Sequence, residues 1–201
     1  MNVKVDEAMS KRIIKIISDL GFNARKELRI AVNKTAKKVE STAAKEIQGE
    51  LATTQKVIKE KIIKSDRKGN AAMSEVIIKK SARIALKKFG AKHVKESKKQ
   101  TGGVTYRISK TKGRQTLPHA FMGPRSGVSA IKLKGGVYQR AGKKRLPIYQ
   151  LYGPSPWGVF TKKGMVQPTV KVGKEELEKQ IVDRVRFLTL KAKGLLKGNQ
   201  K

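Results

Sequence analysis

The stretch LRIAVNKTAKKVESTAAKEIQGEL, residues 28–51, decides the fold of the N-terminal part of this chain. Its apolar residues recur at steps of three and four, which places them in one stripe along one face of an α-helix. Lysine and glutamate occupy the other face, and no proline precedes Pro118 to break the helix. The stripe consists of Leu28, Val32, Ala36, Val39, Ala43, Ile47 and Leu51.

The first 64 residues are predicted to be helical throughout. Gly21 separates a short first helix, Ser10 to Leu20, from the long second one. A third helix is predicted to begin at Thr53 or Thr54. Its apolar face would consist of Val57, Ile58, Ile62 and Ile63. The polar run 65–70 ends in Gly-Asn, a turn signal that closes this helical section.

The pattern beyond residue 70 favours β-structure. Residues 74–86 are rich in β-branched side chains and predict two short strands or one irregular strand. Residues 92–115 are mostly Lys, Ser, Thr, Gln, Gly and Arg, interrupted where Val104, Tyr106 and Ile108 alternate. That composition predicts a long basic hairpin or a mobile arm. Further strands are predicted at 117–122, 129–133, 136–140 and 145–152, with residues 141–144 as the hairpin turn between the last two.

Apolar residues return to a helical spacing near the C-terminus. Residues 175–196 predict a final helix, with acidic residues in its first turn and lysines near its end, as the helix dipole favours. The fold class is therefore predicted as α+β, with N-terminal amphipathic helices, a central antiparallel β-sheet with long basic hairpins and a C-terminal helix. The helical stripes are expected to form core and subunit contacts. Three sections follow, at 1–70, 71–172 and 173–201, together forming one domain with arms.

Charge is the strongest functional signal in the sequence. The 201 residues include 48 Lys and Arg against 15 Asp and Glu, a formal net charge of +33 at pH 7. Residues 97–174 contain 17 Lys and Arg and no acidic residue. A compact monomer with this charge repels itself, so an acidic partner is expected: nucleic acid, an acidic protein surface or an anionic membrane. The sequence has no apolar run long enough to span a membrane, and it has no cysteine for disulfides or thiolate metal sites.

The basic clusters are the candidate binding residues. Lysine and arginine in such clusters release counterions from a phosphate backbone without reading base sequence. The competing interpretation is a solvated basic surface. The candidates for binding nucleic acid or an acidic partner are Lys98, Lys99, Arg107, Lys110, Lys112, Arg114, Lys143, Lys144 and Arg145. The grouped aromatics Tyr138, Tyr149, Tyr152, Trp157 and Phe160 are expected in the core or at a subunit interface, with stacking on bases as the alternative.

An enzyme is not expected from this sequence. The two histidines, His93 and His119, lie far apart in sequence, and no metal-ligand spacing of the HExxH type occurs. Glu40, Glu46 and Glu50 share a helical region, where their spacing suits solvated faces and pairs with lysines. No catalytic residue, metal or cofactor is therefore predicted.

Two segments together resemble a known family. The segment LPHAF, residues 117–121, and the later segment VYQRAGKKRLPI, residues 137–148, are similar to the core signature of the bacteriophage and prophage minor tail protein Z family. The helix carrying Asn33 to Ala36, the Lys-rich segment 57–63 and the helix after Pro168 also fit, so the resemblance covers most of the chain. The signature residues are Pro118, Ala120, Phe121, Arg140, Gly142, Lys143, Arg145, Pro147 and Ile148.

The resemblance implies a tail-completion protein. Such a protein would be a non-enzymatic part of the virion, located at the head-proximal end of the tail and made in the host cytoplasm. Its expected partners are other tail and neck proteins, further copies of itself in a ring, and the end of the double-stranded DNA, with no membrane involved. The alternative is a free nucleic-acid-binding protein without sequence specificity.

Overall fold

A computed structural model describes residues 7–66, 74–95, 102–123, 135–144 and 146–195 of the chain. Five α-helices lie in these ranges: α1 (Glu7–Asp19), α2 (Ala24–Glu50), α3 (Gln55–Lys59), α4 (Pro156–Lys162) and α5 (Val166–Ala192). The strands are β1 (Ile62–Asp66), β2 (Ser74–Ile78), β3 (Lys92–Val94), β4 (Gly103–Tyr106), β5 (Gln115–Pro118), β6 (Ala120–Met122), β7 (Val137–Arg140) and β8 (Ile148–Gln150). A short 3-10 helix spans Leu86–Phe89. The predicted α+β class is confirmed, with three small antiparallel sheets in place of one central sheet.

The chain forms two compact units that are discontinuous in sequence. Unit 1 comprises residues 1–43, 62–77 and 164–201, and unit 2 comprises residues 44–61 and 78–163. The N-terminal and C-terminal helices therefore belong to the same unit, although they lie far apart along the chain.

Glycines end two of the helices of unit 1. Gly21 adopts φ +75° after α1, where its N–H donates to Ser18 O and the next N–H, of Phe22, donates to Ile17 O. This pair of hydrogen bonds is the Schellman arrangement, which satisfies the last carbonyls of a helix and favours glycine because φ is positive. Gly194 at φ +70° ends α5 in the same way. Asn23 then starts α2, since its side-chain oxygen accepts from the N–H of Lys26 at 3.1 Å.

The apolar core of unit 1 is built from α1, α2 and α5. Its buried members are Ile13, Ile17, Ala24, Ala31, Leu177, Ile181 and Leu188, with Leu28, Val32 and Val185 packed against them. One ion pair accompanies this core: Arg184 of α5 donates through Nε to a carboxylate oxygen of Glu27 in α2. The side chains are 22% and 10% exposed, so the pair is largely removed from water.

Unit 2 contains two three-stranded antiparallel sheets, in the orders β3-β4-β5 and β6-β7-β8. β6 also contacts β3 and β4, so the two sheets adjoin. His119 joins them: its φ of +60° turns the chain between β5 and β6. The most deeply buried large side chains of this unit are Ile47, Ile58, Ile84, Phe89, Val104, Val137, Pro156 and Phe160.

Four sequence predictions are corrected by these elements. Ile62 and Ile63 lie in β1, because the third helix ends at Lys59 and β-branched residues suit the pairing with β2. The strand predicted at 117–122 is broken at His119 into strands of different sheets. Residues 79–85 do not extend β2, although Ile84 is buried. The basic hairpin predicted as one alternative for 92–115 is present as β3 and β4, and β5 extends it to a three-stranded sheet in place of an arm.

The helices near the C-terminus also differ from the prediction. Ser155, Pro156 and Trp157 begin α4, where a loop was expected. α5 begins at Val166, so Pro168 lies in its first turn, where proline is tolerated because that N–H has no helical partner. The predicted apolar stripe of this helix is buried as far as Leu188, and Leu195 beyond it is 69% exposed. The strand predicted at 129–133 lies outside the described residues.

Candidate nucleic-acid interface

The excess positive charge is concentrated in unit 2. Its residues include 26 Lys and Arg against 4 Asp and Glu, a net charge of +22. Unit 1 has 22 Lys and Arg against 11 Asp and Glu, a net charge of +11. Two thirds of the net charge therefore lies on the unit that carries the two three-stranded sheets.

A folded basic loop, residues 107–114, connects β4 to β5. The Arg107 guanidinium organises it by donating to three backbone carbonyls of the same loop: from Nε to Ser109 O at 3.2 Å and Lys112 O at 3.1 Å, and from Nη2 to Lys110 O. The hydroxyls of Ser109 and Thr111 lie 2.8 Å apart and bond to each other. Arg107 is therefore a structural member of the loop as well as a cation on it.

Backbone hydrogen bonds tie the basic loop to the end of α2. The N–H of Lys110 donates to Glu50 O at 3.1 Å, and the N–H of Ala52 donates to Ile108 O at 2.7 Å. The N–H of Arg107 donates to Phe89 O at 3.1 Å, which links the loop to the 3-10 helix. With its backbone held in this way, the loop presents the exposed side chains of Lys110 and Lys112 to solvent.

Arg114, at the end of the basic loop, is held in a second way. Its Nη2 donates to Gly90 O at 2.6 Å, to Thr105 O at 3.2 Å and to the Thr105 hydroxyl at 3.3 Å. The guanidinium therefore lies over β4 beside the start of β3, although the side chain is exposed. Of the candidates, the structure brings Arg107, Lys110, Lys112 and Arg114 together in this one loop.

The other candidate cations are placed elsewhere. Lys143 and Lys144 are exposed in the connection between β7 and β8, and the antiparallel pairing of these strands confirms a hairpin there. Lys98, Lys99 and Arg145 lie outside the described residues. Sequence reasoning did not identify Lys92, which is exposed on β3 opposite Thr105, because a single lysine in a three-residue strand gives no pattern.

Several signature residues meet in the sheet β6-β7-β8. Phe121 of β6 pairs with Tyr138 of β7, and their rings stack with centroids 6.0 Å apart. The Arg140 guanidinium lies 5.5 Å from the centroid of the Phe121 ring, within cation–π range, and Arg140 pairs with Ile148 of β8. Ala120 is buried, Gly142 and Lys143 lie in the exposed connection, Pro147 follows a cis peptide bond, and Pro118 ends β5.

The aromatic residues of the β7–β8 region divide between core and surface. Tyr138 and Phe160 are buried, whereas Tyr149 is 57% and Tyr152 is 50% exposed. The Tyr152 hydroxyl donates to the side-chain oxygen of Gln150 at 3.0 Å. Burial raises the pKa of the Tyr138 phenol, and the Tyr152 phenol raises it further. Only the exposed pair is accessible to a stacking base.

Residues of the kind used in metal or acid–base chemistry are dispersed. Within the described ranges, no group of three His, Asp or Glu side chains is arranged to hold a metal ion. His93 is exposed on β3 and His119 is exposed in the β5–β6 turn. Glu50, one of the three helix carboxylates considered above, pairs with Lys163 at 3.2 Å.

No helix among the described residues is long and apolar enough to cross a membrane. Comparison of the chain with protein-family models, with curated protein sequences and with solved structures gave no match.

Proposed function

We propose that this chain is a non-enzymatic structural subunit of a bacteriophage tail, similar to the minor tail protein Z family, that completes the tail at its head-proximal end. The observation that carries the proposal is the meeting of Phe121, Arg140 and Ile148 on one small sheet. These residues come from the two sequence segments that carry the resemblance. If these segments are a structural signature, their residues should pack against each other in the fold, as these three do.

Charge supports a location beside DNA within an assembly. A net charge of +22 on unit 2 opposes close packing of copies in solution unless an anion lies nearby. A ring of subunits around the DNA end would meet that need, since cyclic symmetry directs the same surface of every copy toward the axis. The proposed partners are therefore further copies of the chain, other tail and neck proteins and double-stranded DNA, in the virion and, during assembly, in the host cytoplasm.

The helical stripes were expected to form core and subunit contacts, and three of their residues lie in the core. Val39, Ile181 and Leu188 are buried within the chain, so those stripes form its own core. Unit 1 nevertheless exposes large apolar side chains on α5, with Val182 58% and Phe187 42% exposed. We propose that Val182 and Phe187 contribute to a contact with another protein.

Immunogold electron microscopy of purified phage particles, with an antibody against this chain, tests the proposal. Gold at the junction of head and tail is the expected result. Unlabelled particles that also lack the chain by mass spectrometry would refute the tail assignment and favour the free nucleic-acid-binding protein.

A pair of variants tests the subunit contact. Val182→Glu places a charge on the exposed apolar position and is expected to remove the chain from particles. Lys174→Glu, exposed on the same helix about 12 Å away along its axis, is expected to leave it incorporated. Circular dichroism of both purified variants checks that the helices are intact.

A further inference from the structure

The sheet β3-β4-β5 has a polar row across its exposed side. Lys92 of β3 pairs with Thr105 of β4, which pairs with Thr116 of β5. Directly paired residues on antiparallel strands point to the same face. Lys92 and Thr116 are exposed, and the Arg114 guanidinium bonds to the Thr105 hydroxyl between them. A lysine, a guanidinium and two hydroxyl side chains therefore lie together on one face.

The hydrogen-bond donors of Arg114 and Lys92 in this row are not all paired with acceptors. All hydrogen bonds of the Arg114 side chain among the described residues leave from Nη2, so the N–H groups of Nε and Nη1 have no acceptor there. The Lys92 ammonium has no acidic partner in the described part of the chain. A guanidinium fixed at one nitrogen loses less conformational entropy on binding an anion than a free arginine does.

We propose that this row (Lys92, Thr105, Arg114 and Thr116) binds phosphodiester groups of a nucleic-acid backbone. Lys92, Arg114 and Thr116 are the donors to phosphate. Thr105 positions them, because its hydroxyl donates to Lys92 O at 3.4 Å and accepts from Arg114. The site rests on the proposed function only for the choice of double-stranded DNA as the polymer. Lysine, arginine and threonine side chains are the usual donors to phosphate oxygens, and such contacts position a protein without reading sequence.

The dimensions of the row suit a polymer of phosphates. Neighbouring strands are about 4.8 Å apart, so the residues on β3 and β5 are separated by about 10 Å. Successive phosphates of one DNA strand advance about 3.4 Å along the helix axis while rotating around it, and the row is long enough to contact more than one phosphate. The exposed lysines of the basic loop, Lys110 and Lys112, extend the positive surface beyond β5.

An acidic protein surface fits the row less well. Protein interfaces obtain most of their affinity from apolar and aromatic anchors in a desolvated centre. The row has no aromatic or aliphatic side chain, whereas interfaces with nucleic acid are more polar and more positive.

Fluorescence anisotropy with a labelled DNA duplex, measured as a function of salt concentration on the full-length chain, tests the site. Lys92→Gln is expected to weaken binding for every duplex sequence and to reduce the slope of log affinity against log salt by about 1. Lys92→Arg retains the charge and is expected to retain the slope. Lys162→Gln, exposed on α4, removes the same charge from another element and should leave a larger slope than Lys92→Gln.

Thr116 provides a second, independent pair of variants. It is exposed on β5, an edge strand of the sheet, so substitution there leaves the core intact. Thr116→Glu places a carboxylate in the row and is expected to weaken duplex binding strongly, whereas Thr116→Gln, of similar size and neutral, has a small effect. Equal binding by both variants, together with a normal slope for Lys92→Gln, would overturn the proposal.

Competition distinguishes the polymer class. Unlabelled duplex is expected to displace the labelled duplex at lower charge concentration than polyglutamate does. Equal displacement by polyglutamate would overturn the phosphodiester site in favour of an acidic protein partner. Failure of the tail assignment is separate, since it is read from gold labelling of particles: DNA binding by a chain absent from particles refutes that assignment alone.

Discussion

Replacing Gly153 with alanine is expected to destabilise unit 2 through a single steric contact. The N–H of Gly153 donates to Ile84 O at 2.8 Å, which fixes the backbone there. A Cβ at this position would lie 2.4 Å from Cε2 of Phe89 and 3.1 Å from its Cδ2 and Cζ. Phe89 is 1% exposed, so its ring is enclosed by other core atoms.

The magnitude follows from the displacement that the ring must make. Non-bonded carbons rest about 3.5–4.0 Å apart, so the Phe89 ring or the strand must move by at least about 1.1 Å. Overpacking a core costs about 1–3 kcal/mol, and a rigid aromatic ring places this case at about 2–3 kcal/mol. For a chain of this length, such a loss lowers the melting temperature by about 4–12 °C.

Urea denaturation followed by tryptophan fluorescence measures the loss of stability in unit 2, where Gly153 and Phe89 lie. Trp157 is the one tryptophan of the chain and belongs to unit 2. Gly49→Ala is the matched control, because no atom lies within 4 Å of its added Cβ. That helical substitution is expected to stabilise by about 0.5–1 kcal/mol.

A second substitution tests the cause. Phe89→Leu removes the ring atoms that collide, so its combination with Gly153→Ala is expected to cost less than the sum of the two single changes. An unchanged urea midpoint for Gly153→Ala, or strict additivity in the double variant, would refute the reasoning. Because Phe89 O accepts from the N–H of Arg107, Gly153→Ala is also expected to loosen the basic loop.

Three further changes have defined outcomes. Arg184→Met leaves the largely buried carboxylate of Glu27 unpaired and is expected to cost about 3 kcal/mol of folding stability. The double variant Glu27→Leu/Arg184→Met is expected to recover part of that loss. Urea midpoints of the wild type, the two single variants and the double variant decide this. Tyr138→Phe tests the raised pKa of that phenol, whose protonated form stabilises the fold below pH 10.0. The stability of the wild type relative to the variant should therefore fall as pH rises through the folded-state pKa. A stability difference that stays constant with pH would contradict this. Ser155→Ala removes the hydroxyl that accepts from the N–H of Gly158 at 3.2 Å and should cost about 1 kcal/mol, whereas Ser155→Asp should cost little in the same denaturation assay.

The helices could be predicted from the sequence because their buried apolar residues recur at the helical spacing of three and four. Ile47 in α2 and Leu177 in α5 are buried where the sequence stripes place them, and Gly21 ends α1 as expected. The predicted final helix began at residue 175, nine residues after the start of α5 at Val166. Pro168 lies in the first turn of α5, where proline is tolerated.

The sheets were less predictable because pairing depends on residues far apart in sequence. Val104 is fully buried in a stretch otherwise so polar that it predicted an arm. Nothing in the amino-acid composition around His119 indicates its positive φ. The turn at this one residue places β5 and β6 in different sheets.

The candidate cations were identifiable from sequence, but their arrangement was not. Lysine and arginine in a region without acids are visible in any charge count. The bonds of Arg107 and Arg114 to backbone carbonyls are not, because they depend on the folded path of the chain. The polar row therefore appeared only in the structure, with Lys92 as a member that no sequence pattern selected.

His119, the residue of left-handed conformation between β5 and β6, limits where this chain can accept inserted or deleted residues. Side chains alternate between the two faces of a strand, so an inserted or deleted residue at His119 would exchange the faces of Ala120 and Phe121. The buried methyl group would be replaced by an aromatic ring, and the stack on Tyr138 would be lost. The connection that begins with the exposed residues 141–144 has no such restriction, because added residues there extend a surface turn and leave both strands paired. We therefore expect natural length variation in unit 2 to accumulate at that connection and to be absent at residue 119.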